Sequence, residues 1–133
     1  MANPKLPRPT AAELSILRVL WRRGPSTVRQ VHEELSHSRL RSATAWQVGY
    51  TTILKFLQIM TEKGLVTRDD SARSHIYKPA LVEHHTQRHL IGDLLERAFG
   101  GSAAKLVTAA LSAKKASRAE LKEIRKILDE MEG

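Results

Sequence analysis

Between positions 49 and 66 the apolar residues recur at helical spacing. Ile53, Leu57 and Met60 fall at i, i+4 and i+7 and make one stripe. Polar residues keep the same period on the other side, with Thr51, Lys55, Gln58 and Glu62 at i, i+4, i+7 and i+11. Tyr50 adds a phenol in the first turn, Gly64 marks the helix end, and Leu65 and Val66 open a strand. A helix packed on one side and carrying hydroxyls and a cation on its N-terminal outer face has the chemistry of a DNA-recognition helix. It has equally that of an ordinary amphipathic surface helix, and the flanking segments decide between the two.

Upstream, Thr10-Ala11-Ala12-Glu13 is a capping box, and Leu14, Leu17, Leu20 and Trp21 follow at helical spacing. This first helix is predicted to end near Arg23-Gly24, where Pro25 blocks continuation. Trp21 reads as a core residue. Residues 25–27 allow only a small edge strand. Thr27 and Gln30 form a second capping box for a helix whose buried stripe is Val28, Val31 and Leu35. His32 and His37 flank that stripe and receive no role. Ahead of all this, residues 1–9 form a short extended arm with Pro4, Pro7 and Pro9 beside Lys5 and Arg8. Residues 37–48 leave two readings open. In one, Thr44 and Gln47 form another capping box, the third helix starts at Ala45, and Trp46 and Tyr50 extend its stripe. In the other, which is preferred, Gly49 is the N-cap and 37–48 is a long loop. Arg39 and Arg41 on that loop are placed to meet phosphates.

Downstream, residues 65–69 and 75–78 alternate as the two strands of a half-buried hairpin with a turn at 70–74. Three helices and then a hairpin is the order of a winged helix-turn-helix. The wing carries Arg68, Arg73 and Lys78, suited to backbone or minor-groove contact, with Asp69 and Asp70 opposing them locally. Pro79 closes this module. Beyond it the pattern is helical only. Leu90, Ile91, Leu94, Leu95 and Phe99 lie on a helix over 82–99. Gly100-Gly101 breaks the chain and Ser102 caps a short helix with Leu106, Val107, Ala110 and Leu111. Ser117 and Glu120 open a last helix with Leu121, Ile124, Leu128 and Met131 in a heptad-like seam. Three short helices with such faces lack the material for a core of their own and are predicted to pair with a second copy, two-fold symmetrically. The expected fold is mainly α with a small β-hairpin: an N-terminal winged helix-turn-helix over 1–80 and a three-helix dimerisation domain over 81–133.

The distribution of charge favours the recognition-helix reading. The 133 residues carry a net charge of +8, and the excess sits in the first 80, with 13 Lys/Arg against 6 Asp/Glu. Residues 81–133 hold 9 against 8. A cationic half that contains the candidate recognition helix suits a polyanion. With no cysteine, disulfides and thiolate metal sites are excluded. Aromatic residues make up only 5% of the chain, which suits two small modules better than one large sandwich. No apolar run approaches a membrane span and the N-terminus lacks a signal-peptide core, so the protein is expected in the cytoplasm without membrane insertion.

These segments together resemble the BlaI/MecI family of penicillinase repressors over nearly the whole chain. Glu13-Leu14-x-Ile16-Leu17-x-Val19-Leu20-Trp21 is similar to the family's first helix, and Val28-Arg29-Gln30-Val31 to its second. Tyr50-Thr51-Thr52-Ile53-Leu54 and Glu62-Lys63-Gly64-Leu65-Val66 resemble its recognition helix and exit. Phe99-Gly100-Gly101-Ser102 and residues 121–128 resemble its dimerisation part. The resemblance implies a homodimeric winged-helix repressor of palindromic operators with TACA/TGTA-type half-sites, with Tyr50, Thr51, Thr52 and Lys55 reading or positioning DNA. In several members a membrane sensor peptidase triggers cleavage at an Asn-Phe bond. Ala109-Ala110 stands at the aligned place here, which counts against that route. A copper-responsive branch uses a C-terminal cysteine hook, which this chain cannot form. The 37–48 segment is also several residues longer than the family's usual connection.

The leading expectation is therefore a repressor that binds double-stranded operator DNA as a homodimer and needs no cofactor. Thr51, Thr52 and Lys55 would read bases, Tyr50 and Gln58 would lie on the same interface, and Arg39, Arg41, Lys55, Arg68, Arg73 and Lys78 would meet phosphates. The alternative is a metal-responsive winged-helix regulator using His84, His85 and His89, of which His85 and His89 are at i, i+4. An enzyme is not expected, because no nucleophile–base order, phosphate-cradling glycine loop or paired carboxylates occur.

Overall fold

The computed structural model of the chain describes residues 8–37 and 48–133. The element order is α1 (Ala11–Arg23), α2 (Val28–His37), α3 (Tyr50–Lys63), β1 (Val66–Asp69), β2 (Ile76–Pro79), α4 (Glu83–Phe99), α5 (Ala103–Ala113) and α6 (Arg118–Glu132). The fold is mainly α with one hairpin, as the periodicities predict. The described chain divides into two compact units, Met1–Arg88 and His89–Gly133.

Local chemistry sets the helix ends. At α1, Thr10 Oγ1 accepts from the Glu13 amide at 3.1 Å and Glu13 Oε1 accepts from the Thr10 amide at 2.9 Å, so the capping box is complete. The same exchange occurs between Thr27 and Gln30 at α2, at 3.2 and 2.9 Å. Gly49 is the N-cap of α3, which favours the second of the two readings for that helix. The alternative start at Thr44, with Gln47 and Trp46, lies outside the described residues. At the far end, Gly64 takes φ +83°, its N–H donates to Thr61 O, and the Leu65 N–H donates back to Met60 O at 2.9 Å. This two-bond turn needs a left-handed residue, and it delivers Leu65 and Met60 into the same core.

The core of the first unit is made by Ile16, Leu17, Val19 and Leu20 of α1, Val28 and Val31 of α2, and Ile53, Leu57 and Met60 of α3. Leu65, Val66 and Tyr77 complete it from the hairpin side. The buried face of α1 differs from the predicted stripe: Ile16 and Val19 are inside, whereas Leu14 and Trp21 are half-buried against the core. Trp21 sits at the rim because its indole N–H needs an acceptor, which it finds in the Leu81 carbonyl at 3.0 Å. Together with the burial of Thr86, this bond joins the start of α4 to the first unit.

The first strand begins one residue later than predicted and ends where predicted, at Asp69, whereas the second is shifted by one residue at both ends. They pair antiparallel with Val66 opposite Pro79, Thr67 opposite Lys78, Arg68 opposite Tyr77 and Asp69 opposite Ile76. Tyr77 also exchanges both backbone hydrogen bonds with Ser26, at 3.0 and 2.8 Å. The predicted edge strand at 25–27 is thus a one-residue bridge that docks the turn between α1 and α2 onto the wing.

One buried ion pair locks α1 to the end of α3. Glu13 is 3% exposed, and its Oε1 lies 2.7 Å from Lys63 Nζ while also accepting from the Thr10 amide. Burial alone would push the Glu13 carboxyl up. The hydrogen bonds from Lys63 and Thr10, with the Lys63 charge, outweigh it and hold the carboxyl below its ordinary value.

The second unit is built differently. No residue of α5 or α6 is buried, and the only buried residue of α4, Thr86, belongs to the first unit. Leu90, Leu95, Phe99, Leu106, Leu121 and Ile124 are half-buried, and Ile91, Leu94, Val107, Leu111, Ile127, Leu128 and Met131 are exposed.

A carboxyl held below its unfolded value contributes stability above the unfolded value, and that contribution is lost as pH falls through the folded value. Glu13→Gln is therefore expected to destabilise the protein by about 1–3 kcal/mol at neutral pH, the worth of hydrogen bonds to a charged group. In urea titrations the gap between variant and wild type should close on acidification through the carboxylate range. A gap independent of pH would show that the Glu13 charge contributes nothing.

Candidate nucleic-acid interface

The burial of Ile53, Leu57 and Met60 fixes which side of α3 faces outward. Tyr50, Thr51, Thr52, Lys55, Gln58, Ile59 and Glu62 are exposed, so the predicted polar stripe is the solvent face. The acidic Glu62 lies in the last turn, leaving the N-terminal turns with only hydroxyls, the phenol, Lys55 and the Gln58 amide. The first-turn amides of Thr52 and Ile53 are bonded to the Gly49 carbonyl at 3.2 and 3.3 Å.

Beside this face a groove of about 620 Å³ runs between the first turn of α2, the first turns of α3 and the wing. Thr27, Val28 and Arg29 form one wall, Tyr50 and Leu54 another, and Arg73, Ser74, His75 and Tyr77 the third. The groove brings Tyr50 and Arg73, separate in the sequence, to one feature. It also brings in Arg29, which the sequence reading did not place at the site. A basic residue just inside a helix N-terminus was visible, but nothing in the chain said that the wing would fold beside it.

The cations differ in their availability. Arg68 is engaged by Asp70, with Nε to Oδ1 at 2.7 Å and Nη2 to Oδ2 at 3.3 Å. Hydrogen bonding to Asp70, and then to Tyr77, raises its guanidinium above the ordinary value. Asp70 also lies 3.6 Å from His75 Nε2. Asp69 folds onto the wing turn, accepting from the Ser71 amide at 2.9 Å and hydroxyl at 2.6 Å. These bonds, with the nearby Lys78, hold it below the usual carboxylate range. Arg22 and Arg23 pair with Glu34 across α1 and α2, at 3.1 and 3.5 Å. By contrast, Arg29, Lys55 and Arg73 have no ion pair with any described residue. Lys78 is exposed opposite Thr67. Arg39 and Arg41 lie outside the described residues.

His32, given no role by the sequence, makes a contact next to the site. Its Nε2 is 3.0 Å from the Val48 carbonyl, and its ring stands edge-on to Tyr50 with centroids 6.4 Å apart. His84, His85 and His89 are exposed on α4, and among the described residues no group of three or more His, Cys, Asp or Glu side chains converges to hold a metal. No described helix is long and apolar enough to cross a membrane.

Comparison with known proteins sets these features in a family. The penicillinase repressor family model matches residues 9–130. Two Mycobacterium tuberculosis proteins, the transcriptional regulators BlaI of strains CDC 1551/Oshkosh and ATCC 25618/H37Rv, are each 36% identical over 92 residues. That alignment covers 68% of this chain but only 59% of their length. The penicillinase repressor of Bacillus licheniformis is 25% identical over 126 residues, covering 95% of this chain and 93% of that protein. A solution structure of monomeric Bacillus licheniformis BlaI in complex with the blaP half-operator is similar at a TM-score of 0.47 and 24% identity. It covers 59% of this chain and 88% of that one. Because the family match runs from the capping box of α1 to the last turn of α6, it takes in both units, and the chain belongs to the penicillinase repressor family, a family of transcriptional repressors and not of enzymes.

Proposed function

We propose that this protein is a cytoplasmic, sequence-specific transcriptional repressor that binds palindromic TACA/TGTA-type operators as a homodimer. The observation that carries the reading is the division of α3: a fully buried Ile53/Leu57/Met60 face and an exposed N-terminal face of Tyr50, Thr51, Thr52, Lys55 and Gln58. A helix held that rigidly from behind presents its outer side chains to the major groove at fixed spacing. Thr51, Thr52 and Lys55 read base edges, with Tyr50 and Gln58 at the margins of the contact. Arg73, Arg29 and Lys78 meet phosphates, which supply most of the affinity and its dependence on salt. Arg68 contributes less, because Asp70 already neutralises it. Arg39 and Arg41 join the phosphate contacts on the strength of their charge and place in the chain.

The homodimer is proposed from the apolar faces of the second unit. Leu94, Leu111, Leu128 and their neighbours stay open to solvent in a single chain, and an apolar face of this kind is stabilised by burial against a second copy. The dimerisation set is Leu90, Ile91, Leu94, Leu95, Phe99, Leu106, Val107, Leu111, Leu121, Ile124 and Leu128. Release by cleavage at an Asn-Phe bond is not part of the proposal, because Ala109-Ala110 stands in its place within α5.

The deciding measurement is fluorescence anisotropy on a TACA/TGTA dyad duplex and on a scrambled duplex at one physiological salt concentration. Preference for the dyad by at least about a hundredfold is expected of a specific repressor, and equal weak binding would overturn the reading. Thr52→Ala should cost about 1–3 kcal/mol on the dyad, the worth of a base contact, and little on scrambled DNA. Arg73→Ala should weaken both duplexes alike and lower the salt slope by about 1. A loss confined to the dyad would contradict its phosphate role. Leu128 is 55% exposed in the single chain, so Leu128→Glu should leave the fold intact while sedimentation shifts from dimer to monomer. A wild-type chain that sediments as a monomer would remove the dimer.

A further inference from the structure

We infer that His32 is a positioning residue that fixes the path of the chain into α3 and the stance of Tyr50. The functional consequence of this inference rests on the DNA-binding reading above. α3 starts without help from a side chain: Gly49 offers only its backbone carbonyl, whereas the side chains of Thr10, Thr27, Ser102 and Ser117 each accept from a first-turn amide of their own helix. The first turn of α3 therefore leaves its conformation to be set from outside the helix. His32 supplies that constraint from the middle of α2. Its Nε2 reaches the carbonyl of Val48 at 3.0 Å, the residue before the N-cap and sixteen positions away in sequence. A carbonyl oxygen only accepts, so Nε2 carries the hydrogen and donates.

The rest of the contact points the same way. Val48 is half-buried against the core, so the carbonyl that His32 holds belongs to a residue already packed at the base of α3. Two residues on, the Tyr50 and His32 rings stand at 72° to each other, while 47% of Tyr50 remains exposed and lines the groove that Arg73 also lines. One imidazole thus holds the backbone before the helix and one wall of the groove. Because Gly49 accepts from the Thr52 and Ile53 amides, a shift at Val48 passes into the hydrogen bonds beneath Thr51 and Thr52.

The test combines two readouts on His32→Ala and His32→Gln in the full chain. The Gln amide nitrogen occupies nearly the place of the ring Nε2 and can donate to Val48. With Ala, dyad affinity should fall by about three- to tenfold, the worth of one neutral hydrogen bond. Scrambled-DNA affinity should change little, and Gln should restore most of the dyad affinity. Amide hydrogen exchange at Thr52 and Ile53 should quicken in the Ala variant and return toward wild type in the Gln variant. Wild-type exchange in His32→Ala would overturn the positioning role, whatever happens with DNA. Quickened exchange with unchanged dyad affinity would overturn its bearing on recognition. An equal loss on both duplexes with a fallen melting temperature would reduce His32 to a residue of the fold. If the wild type itself fails to prefer the dyad, the DNA-binding reading has failed, and the exchange rates alone then decide whether His32 sets the start of α3.

Discussion

The outer face of α3 has a fixed direction because Ile53, Leu57 and Met60 behind it have no exposure at all. Each such side chain removed from water contributes on the order of 1.5–3 kcal/mol. The three together resist any rotation of the helix about its axis, since turning Thr52 or Gln58 inward would bring an apolar residue out. Both ends are then tied by polar contacts. The C-terminal end is held by the Gly64 turn and by Lys63 on the buried Glu13, and the N-terminal approach by His32 on Val48. The apolar stripe supplies most of the stabilisation, and the polar ties set the position along the axis.

The wing shows how charge is apportioned rather than summed. A net excess of basic residues says that the first unit attracts polyanions, but it does not say which side chains are available to them. Arg22, Arg23, Lys63 and Arg68 are each directed at a carboxylate of the protein itself. Asp69 serves the wing turn through Ser71. Arg29 and Arg73, which have no ion pair with any described residue, lie along the groove that Tyr50 also lines. Exposed pairs such as Arg22 with Glu34 add little to stability, yet they withdraw those cations from a polyanion.

The two units divide the work between different physical means. The first has a core shared by three helices and a hairpin, with capping boxes at the starts of α1 and α2 and glycine stops after α1 and α3. The second has helices whose starts are capped, with Ser102 and Ser117 at α5 and α6, but whose apolar residues are at most half-buried and several of which remain open. Local hydrogen bonding forms such helices without burying them, and short helices gain most of their stability from packing. The proposed second copy would supply that packing and would place two recognition helices on one operator.

Features that depend on neighbours a few positions apart were legible in the chain. The capping boxes at Thr10 and Thr27, the glycine stop at Gly64, the stripe of Ile53, Leu57 and Met60, the hairpin and the apolar faces of α4 to α6 all follow from i, i+3, i+4 or alternating spacing, which the backbone imposes locally. The outward set from Tyr50 to Gln58 was legible for the same reason, being the complement of the buried stripe. What depends on how elements pack emerged only with the fold. It placed Ile16 and Val19 inside and left Trp21 at the rim, where Leu81 satisfies its N–H. It also paired Glu13 with Lys63 across fifty positions, bonded His32 to the Val48 carbonyl, and brought Arg29 and Arg73 to one groove. A periodicity gives the face of a helix but not the angle at which it meets another, and that angle decides which distant side chains come within reach.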